Sequence, residues 1–240
     1  SLKRLGKNRN YVTGVIAQFF YVGAQIGVWS FVIRYAMQQL HLDSVVESLG
    51  AGATTDQVIT ALRGVEPVAG GFYSLCDAIG LDALLPRTAE QAGATYYILS
   101  LCLFVFCRFL CTFLMKWFKP RKLLGVFAGI AVICCLVSVY NRGTLGVYSL
   151  MCISGCMSLM FPTIYGMGMT GLGDDTKVGG SGMVMAIAGA AVLTQIQGIF
   201  SDQTGSIQSA FWVPTIAFAI ILLYSFYVRK FEKQTIAQQS

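Results

Sequence analysis

Residues 17–30 read AQFFYVGAQIGVWS and lie in an apolar segment running from about Tyr11 to Gln39, long enough to cross a bilayer. The segment nevertheless carries Gln18, Tyr21, Gln25 and Trp29, spaced by three, four and four residues. On an α-helix those positions form one stripe. An unpaired side-chain amide is costly in hydrocarbon, so the stripe is expected to face protein or water rather than lipid. Such a stripe can line a solute cavity, or its amides can bridge to neighbouring helices. Cavity lining is the expectation taken forward.

The rest of the chain supports a membrane setting. Of 240 residues, 55% are hydrophobic and 12% charged, and the mean hydropathy is +0.66. Soluble domains carry about 25% charged residues. An all-α integral membrane protein is expected. Seven of the eight cysteines lie in the apolar segments and only Cys76 lies outside them; membrane-embedded Cys serves as a small packing residue. The i,i+4 pairs Cys107/Cys111 and Cys152/Cys156 have no histidine nearby, and the single histidine, His41, has no evident partners. No metal site and no cofactor are expected.

Six apolar spans follow in order, at about 11–39, 94–117, 123–140, 144–170, 181–200 and 207–228. The lead-in SLKRLGKNRN, residues 1–10, is basic, has no apolar signal region and does not start with Met, so it reads as a continuation of a longer chain. Residues 40–93 form a long polar connection with seven acidic residues (Asp43, Glu47, Asp56, Glu66, Asp77, Asp82, Glu90) and two arginines. Thr54 or Thr55 can cap a helical turn there bearing Val58, Ile59 and Leu62, whereas Gly70-Gly71 and Pro86 are expected to interrupt it. No nucleophile, base or phosphate-loop pattern marks a catalytic domain, so an enzyme is not expected.

Lys and Arg set the orientation. With the N-terminus inside, the inner segments hold twelve and the outer segments three, Arg63, Arg87 and Arg142. Both termini are therefore expected in the cytoplasm, with 231–240 as a cytoplasmic tail and 40–93 outside. The same asymmetry accounts for the net charge of +6 without nucleic acid.

No Asp or Glu lies within any of these spans. Proton-driven carriers use a buried carboxylate as relay, so a relay would have to lie in another part of the protein. Arg108, inside the second span, can snorkel to the surface or find a partner near the inner gate, such as Asp174 or Asp175 in the loop 171–180. Pro162 in the fourth span, beside Phe161, removes an N–H and is expected to kink or break that helix near a site. The Gly- and Ala-rich fifth span suits close helix packing, with Thr194, Gln195 and Gln197 as its polar groups.

Several stretches together resemble the L-fucose–proton symporter family of the major facilitator superfamily. They are AQFFYVGAQIGVWSFVIRYA, then CRFLCTFLMKWFKPRKLL, MSLMFPTIYGMGMTGLGDDTKVGGS and GIFSDQTGSI, in that order. The resemblance spans nearly the whole chain except the 40–93 loop. It implies one half of a twelve-helix transporter in a bacterial inner membrane. The chain would be the C-terminal half, with 1–10 as the end of the central cytoplasmic loop and 11–230 as the six-helix unit. A missing N-terminal six-helix half would then hold the carboxylates for proton coupling. The cavity residues carried over are Gln18, Tyr21, Gln25 and Trp29 of the first span and Phe161 and Pro162 of the fourth. Two departures stand out. Phe161 replaces a Tyr that relatives tend to have before the Pro, and Cys107 and Cys111 stand where the family motif around Arg108 has glycines. Glucose/galactose members carry an acid where this chain has Gln25, which favours fucose.

The implied function is sugar–proton symport by alternating access, with a monosaccharide, protons, the bilayer and the missing half as partners. The alternatives are another hexose carrier of the family, or a self-contained six-span channel or assembly subunit.

Overall fold

A computed structural model describes residues 2–50, 54–65, 67–81 and 84–239. Glu66 and Asp82 of the long connection lie outside the described residues. The described residues are predominantly helical, and among them six helical spans are long and apolar enough to cross a membrane.

A short helix, α1 (Leu2–Lys7), leads into α2 (Arg9–Gln39). Asn8 caps α2, its Oδ1 accepting from the backbone N–H groups of Asn10 and Tyr11. At the far end of α2, three small helices form a cap: α3 (Leu42–Ser48), α4 (Thr55–Val65) and α5 (Pro67–Ile79). The expected turn is present. Gln57 accepts from the Thr54 N–H, one arm of a capping box, and Val58, Ile59 and Leu62 are buried. Gly70-Gly71 does not break the cap, contrary to expectation. Pro67 at the first position starts α5, and Gly70 lets it pack against Arg63 of α4, whose Cα lies 3.2 Å from where a β-carbon would stand. Tyr73 of α5 reaches the Thr95 hydroxyl at 3.2 Å, fixing the cap to the next long helix. Burial pushes the Tyr73 hydroxyl above its ordinary pKa.

The remaining spans alternate in direction. They are α6 (Ala89–Leu114), α7 (Pro120–Tyr140), α8 (Thr144–Met169), a fifth span from 173 to 204, and a sixth made of the short α11 (Ile207–Ala210) and α12 (Trp212–Gln239). Thr88 caps α6 and Pro120 opens α7. These helices are longer than the apolar runs, so Glu90, Asp174, Asp175 and Asp202 fall in their end turns. The α12 backbone continues well past Val228.

The fifth span holds two surprises. Residues 173–180, expected as loop, are already helical: a 3₁₀ turn at Gly173–Asp175 and then α9 (Thr176–Met185). A second 3₁₀ turn, Ala186–Ala188, separates α9 from α10 (Gly189–Thr204). The fourth span is not broken at Pro162: α8 is helical from Thr144 to Met169 with Pro162 inside it.

α2 is the centre of the bundle and packs against α6, α8, α10 and α12. Small residues permit this. A β-carbon on Gly14 would lie 2.9 Å from the Gly168 Cα of α8, and one on Gly189 of α10 would lie 2.1 Å from the Phe19 carbonyl oxygen. Near the cap end, the Tyr35 hydroxyl donates to the Ser138 carbonyl at 2.7 Å, tying α2 to α7. The central portion of α8 is 61% buried, that of α6 only 11%. α6 and the fifth span therefore present broad apolar faces, with Phe106, Phe109 and Phe113 on one and Met185, Val192 and Ile199 on the other.

Candidate functional site

The stripe on α2 divides into a buried part and a half-open part. Gln18 and Tyr21 are fully buried, Gln25 and Trp29 only half. The Tyr21 hydroxyl donates to the Met157 carbonyl of α8 at 2.8 Å. Its ring meets Phe161 edge-on, with centroids 6.1 Å apart, and Phe161 stacks in parallel on Tyr165. Pro162, half-buried on the same helix, leaves the Ser158 carbonyl without its usual i+4 donor. Tyr21 serves the carbonyl just before it.

Trp29 is held from two sides. Its Nε1–H donates to the Ser154 hydroxyl of α8 at 3.3 Å. Its ring packs edge-on against Phe104, centroids 5.2 Å apart, and Tyr97, both on α6. Gln25 lies one turn away, and no hydrogen bond to it is found among the described residues. Both amide atoms of Gln18 are likewise buried without a partner.

Arg108 is exposed on the open face of α6. Neither expected acid pairs with it. Asp175 binds Arg4 of the lead-in at 2.8 Å, and Asp174 is exposed beside it. The reason is placement: Arg108 stands six residues inside the end of α6, whereas Asp174 and Asp175 lie on the short 3₁₀ turn that faces α1. Cys107 and Cys111, which replace glycines of the family motif, contact α8. The Cys107 Sγ lies 3.1 Å from where a β-carbon on Gly155 would be, and Ser158 donates to the Cys111 Sγ at 3.6 Å.

Two residues lay beyond the sequence reading. Ser154 and Phe104 fix the Trp29 ring, and nothing in their own spacing marks them. Gln197, one of the polar groups of the fifth span, packs its amide over Gly27 on the side of α2 opposite the stripe. The chemistry is nevertheless consistent: neutral amides, one indole and several rings, suited to a neutral hydroxylated solute. Hydroxyls can be met by amides and pyranose C–H faces by aromatic rings.

No family model matches the chain. The L-fucose-proton symporter of Escherichia coli (strain K12) is 32% identical over 235 residues, covering 98% of this chain and 42% of that protein. The chain is homologous to the L-fucose–proton symporters. A glucose/galactose transporter of Brucella abortus is 29% identical over 216 residues, covering 90% of the chain and 42% of that protein. Among solved structures, a fucose:proton symporter from E. coli and a major facilitator superfamily transporter in the outward conformation match with TM-scores of 0.73 and 0.71. They are 31% and 32% identical, and each match covers 95% of this chain and 44% of the other. The chain thus spans somewhat under half the length of the relatives it matches, and the part matched is their C-terminal half. Six membrane helices in this arrangement are one half of a major facilitator fold, and the protein is a multi-pass membrane protein.

Proposed function

We propose that this chain is the C-terminal half of a secondary carrier that moves a monosaccharide, L-fucose first among them, together with protons. The observation that carries this reading is the 32% identity to a fucose–proton symporter sustained over 98% of the chain. The two six-helix halves would rock about a site at the bilayer midplane. Gln18, Gln25, Tyr21, Trp29, Phe161 and Pro162 form this half's wall of that site. Gln25 is the amide best placed to meet a sugar hydroxyl, because it is half-open and unbonded. Tyr21 and Phe161 shape the wall, and Trp29 offers a braced ring. Asp174 and Asp175 belong to the inner gate region, with Arg4 as the partner of Asp175.

Proton uptake falls to the other half. Of the acids on the long helices here, Glu90, Asp174, Asp175 and Asp202 sit in end turns and Glu232 lies past the apolar run of α12, none of them at mid-membrane. Both termini lie in the cytoplasm of a bacterial inner membrane, as the Lys and Arg distribution argues. Residues 1–10 continue from the loop between halves, the 40–93 cap faces outward and 231–240 is the inner tail.

The deciding experiment is counterflow of labelled fucose, glucose and galactose by the complete protein in liposomes, with and without an inward proton gradient. Fucose exchange, with accumulation only under the gradient, is expected. Exchange of glucose or galactose alone favours the second reading, which the 29% identity to the Brucella transporter supports. Exchange of none overturns transport of these sugars.

A further inference from the structure

We propose that α5 is an interfacial helix, with Val68, Phe72, Leu75 and Ile79 set into phospholipid where headgroups meet acyl chains. The proposal depends on the six spans and not on the solute carried. The four residues are spaced by four, three and four, one stripe of an α-helix. None of them is buried: Phe72 is half-buried, Val68 is exposed, and Leu75 and Ile79 are 56% and 62% exposed. Leu81 and Leu84, just beyond the helix, are exposed as well. A second face of α5, with Ala69, Tyr73 and Cys76, is packed into the cap. The third carries Ser74 and Asp77, both exposed. A cap helix surrounded by water needs one apolar face, the packed one. α5 has two, and an exposed apolar patch of this kind marks a surface that meets something.

The level of the helix says what it meets. α7 has 21 residues, about 32 Å at 1.5 Å each, which matches the ~30 Å hydrocarbon core. Its last residue, Tyr140, therefore marks the edge of the hydrocarbon. Ser138 of α7 accepts from Tyr35 of α2. Two residues before Tyr35, the Ile33 carbonyl lies 3.1 Å from where a β-carbon on Gly93 of α6 would stand. Two residues after Gly93, Thr95 accepts from the Tyr73 hydroxyl of α5. These steps put Thr95 about 9 Å inside the end of α7 at 1.5 Å per residue. α5 stands one tyrosine side chain outward from Thr95, which is the boundary itself. An amphipathic helix at that level lies with its apolar face in the acyl boundary and its polar face in water. The exposed acids Asp43, Glu47 and Asp56 keep the rest of the cap on the water side.

The test uses the complete protein in vesicles of phosphatidylethanolamine and phosphatidylglycerol. Leu75→Cys, Ile79→Cys, Ser74→Cys and Asp77→Cys, each in a background without native cysteines, are labelled with a nitroxide. Collisions with oxygen, which concentrates in lipid, and with a water-soluble nickel chelate are then compared. At positions 75 and 79 oxygen collisions are expected to rise and nickel collisions to be lost; at 74 and 77 the order should reverse. Nickel access at 75 and 79 equal to that at 77 overturns the proposal, because the face then meets water. Shielding of 75 and 79 from both reagents also overturns it, because protein then covers the face. If the cysteine-free background does not assemble, the unaltered protein is photolabelled with a phospholipid bearing a diazirine on its acyl chain. Label on residues 67–79 is expected, and its absence overturns the proposal equally.

Discussion

Tyr21 and Gln25 occupy one stripe and have opposite fates. Tyr21 is sealed, its hydroxyl committed to Met157 across to α8. Tyr21→Phe is therefore expected to lower stability by about 1 kcal/mol, the net worth of a typical buried hydrogen bond, with sugar affinity unchanged. A thermal melt in detergent beside calorimetry checks both halves of that statement. The cost should be modest because the Met157 carbonyl keeps its own helix donor. Gln25 is half-open and uncommitted, so Gln25→Ala should weaken sugar binding while membrane insertion and melting stay as they were. Unchanged calorimetric affinity would remove Gln25 from the site. The stripe itself was legible because helical spacing is a local property of sequence. Which of its members faces in or out was not, since Tyr21's acceptor lies 136 residues away.

Helices and turns were legible to different degrees. The six apolar runs announced six spans, because each must satisfy its own backbone within lipid. The long fifth span was harder. Its first eight residues are polar and glycine-rich and read as loop, yet they are helical, with the Tyr11 hydroxyl of α2 donating to the Gly179 carbonyl at 2.9 Å. Gly70-Gly71 misled in the same way, because a glycine needed for close approach to Arg63 looks identical in sequence to a glycine needed for a turn. The close contact between α2 and α10 gives a sharp comparison. Gly189→Ala puts a methyl against the Phe19 carbonyl oxygen, whereas Gly198→Ala on the same helix meets nothing within 4 Å. The first should cost about 1–3 kcal/mol, the range for overpacking, and depress transport; the second should be neutral. Melting midpoints of the two variants, compared side by side, decide it. An equal loss at both positions would point to helix propensity rather than contact.

At the scale of the molecule, the open faces of α6 and of the fifth span are the main fact. Phe109 is 76% exposed and so is Met185. A six-helix unit with two such faces is expected to self-associate when its 240 residues are produced alone. Co-production with the complementary half should convert it to a defined species that binds sugar; size-exclusion profiles and calorimetry of the two preparations test this. The topology has its own check. In a background without native cysteines, a single Cys at Arg142 should react with a membrane-impermeant maleimide from outside intact cells, and one at Lys119 only after permeabilisation. The reverse pattern would invert the protein. The 3₁₀ turn at Ala186–Ala188 has a geometric consequence for all of this. Three residues wound at 3.0 rather than 3.6 per turn differ by about 60° of rotation and roughly 1.5 Å of length. Were this joint to relax to ordinary α-geometry, α10 would swivel like a key in its lock, carrying Gln197 off Gly27 while α9 stayed still. The turn thus sets the rotational register at which α10 meets α2.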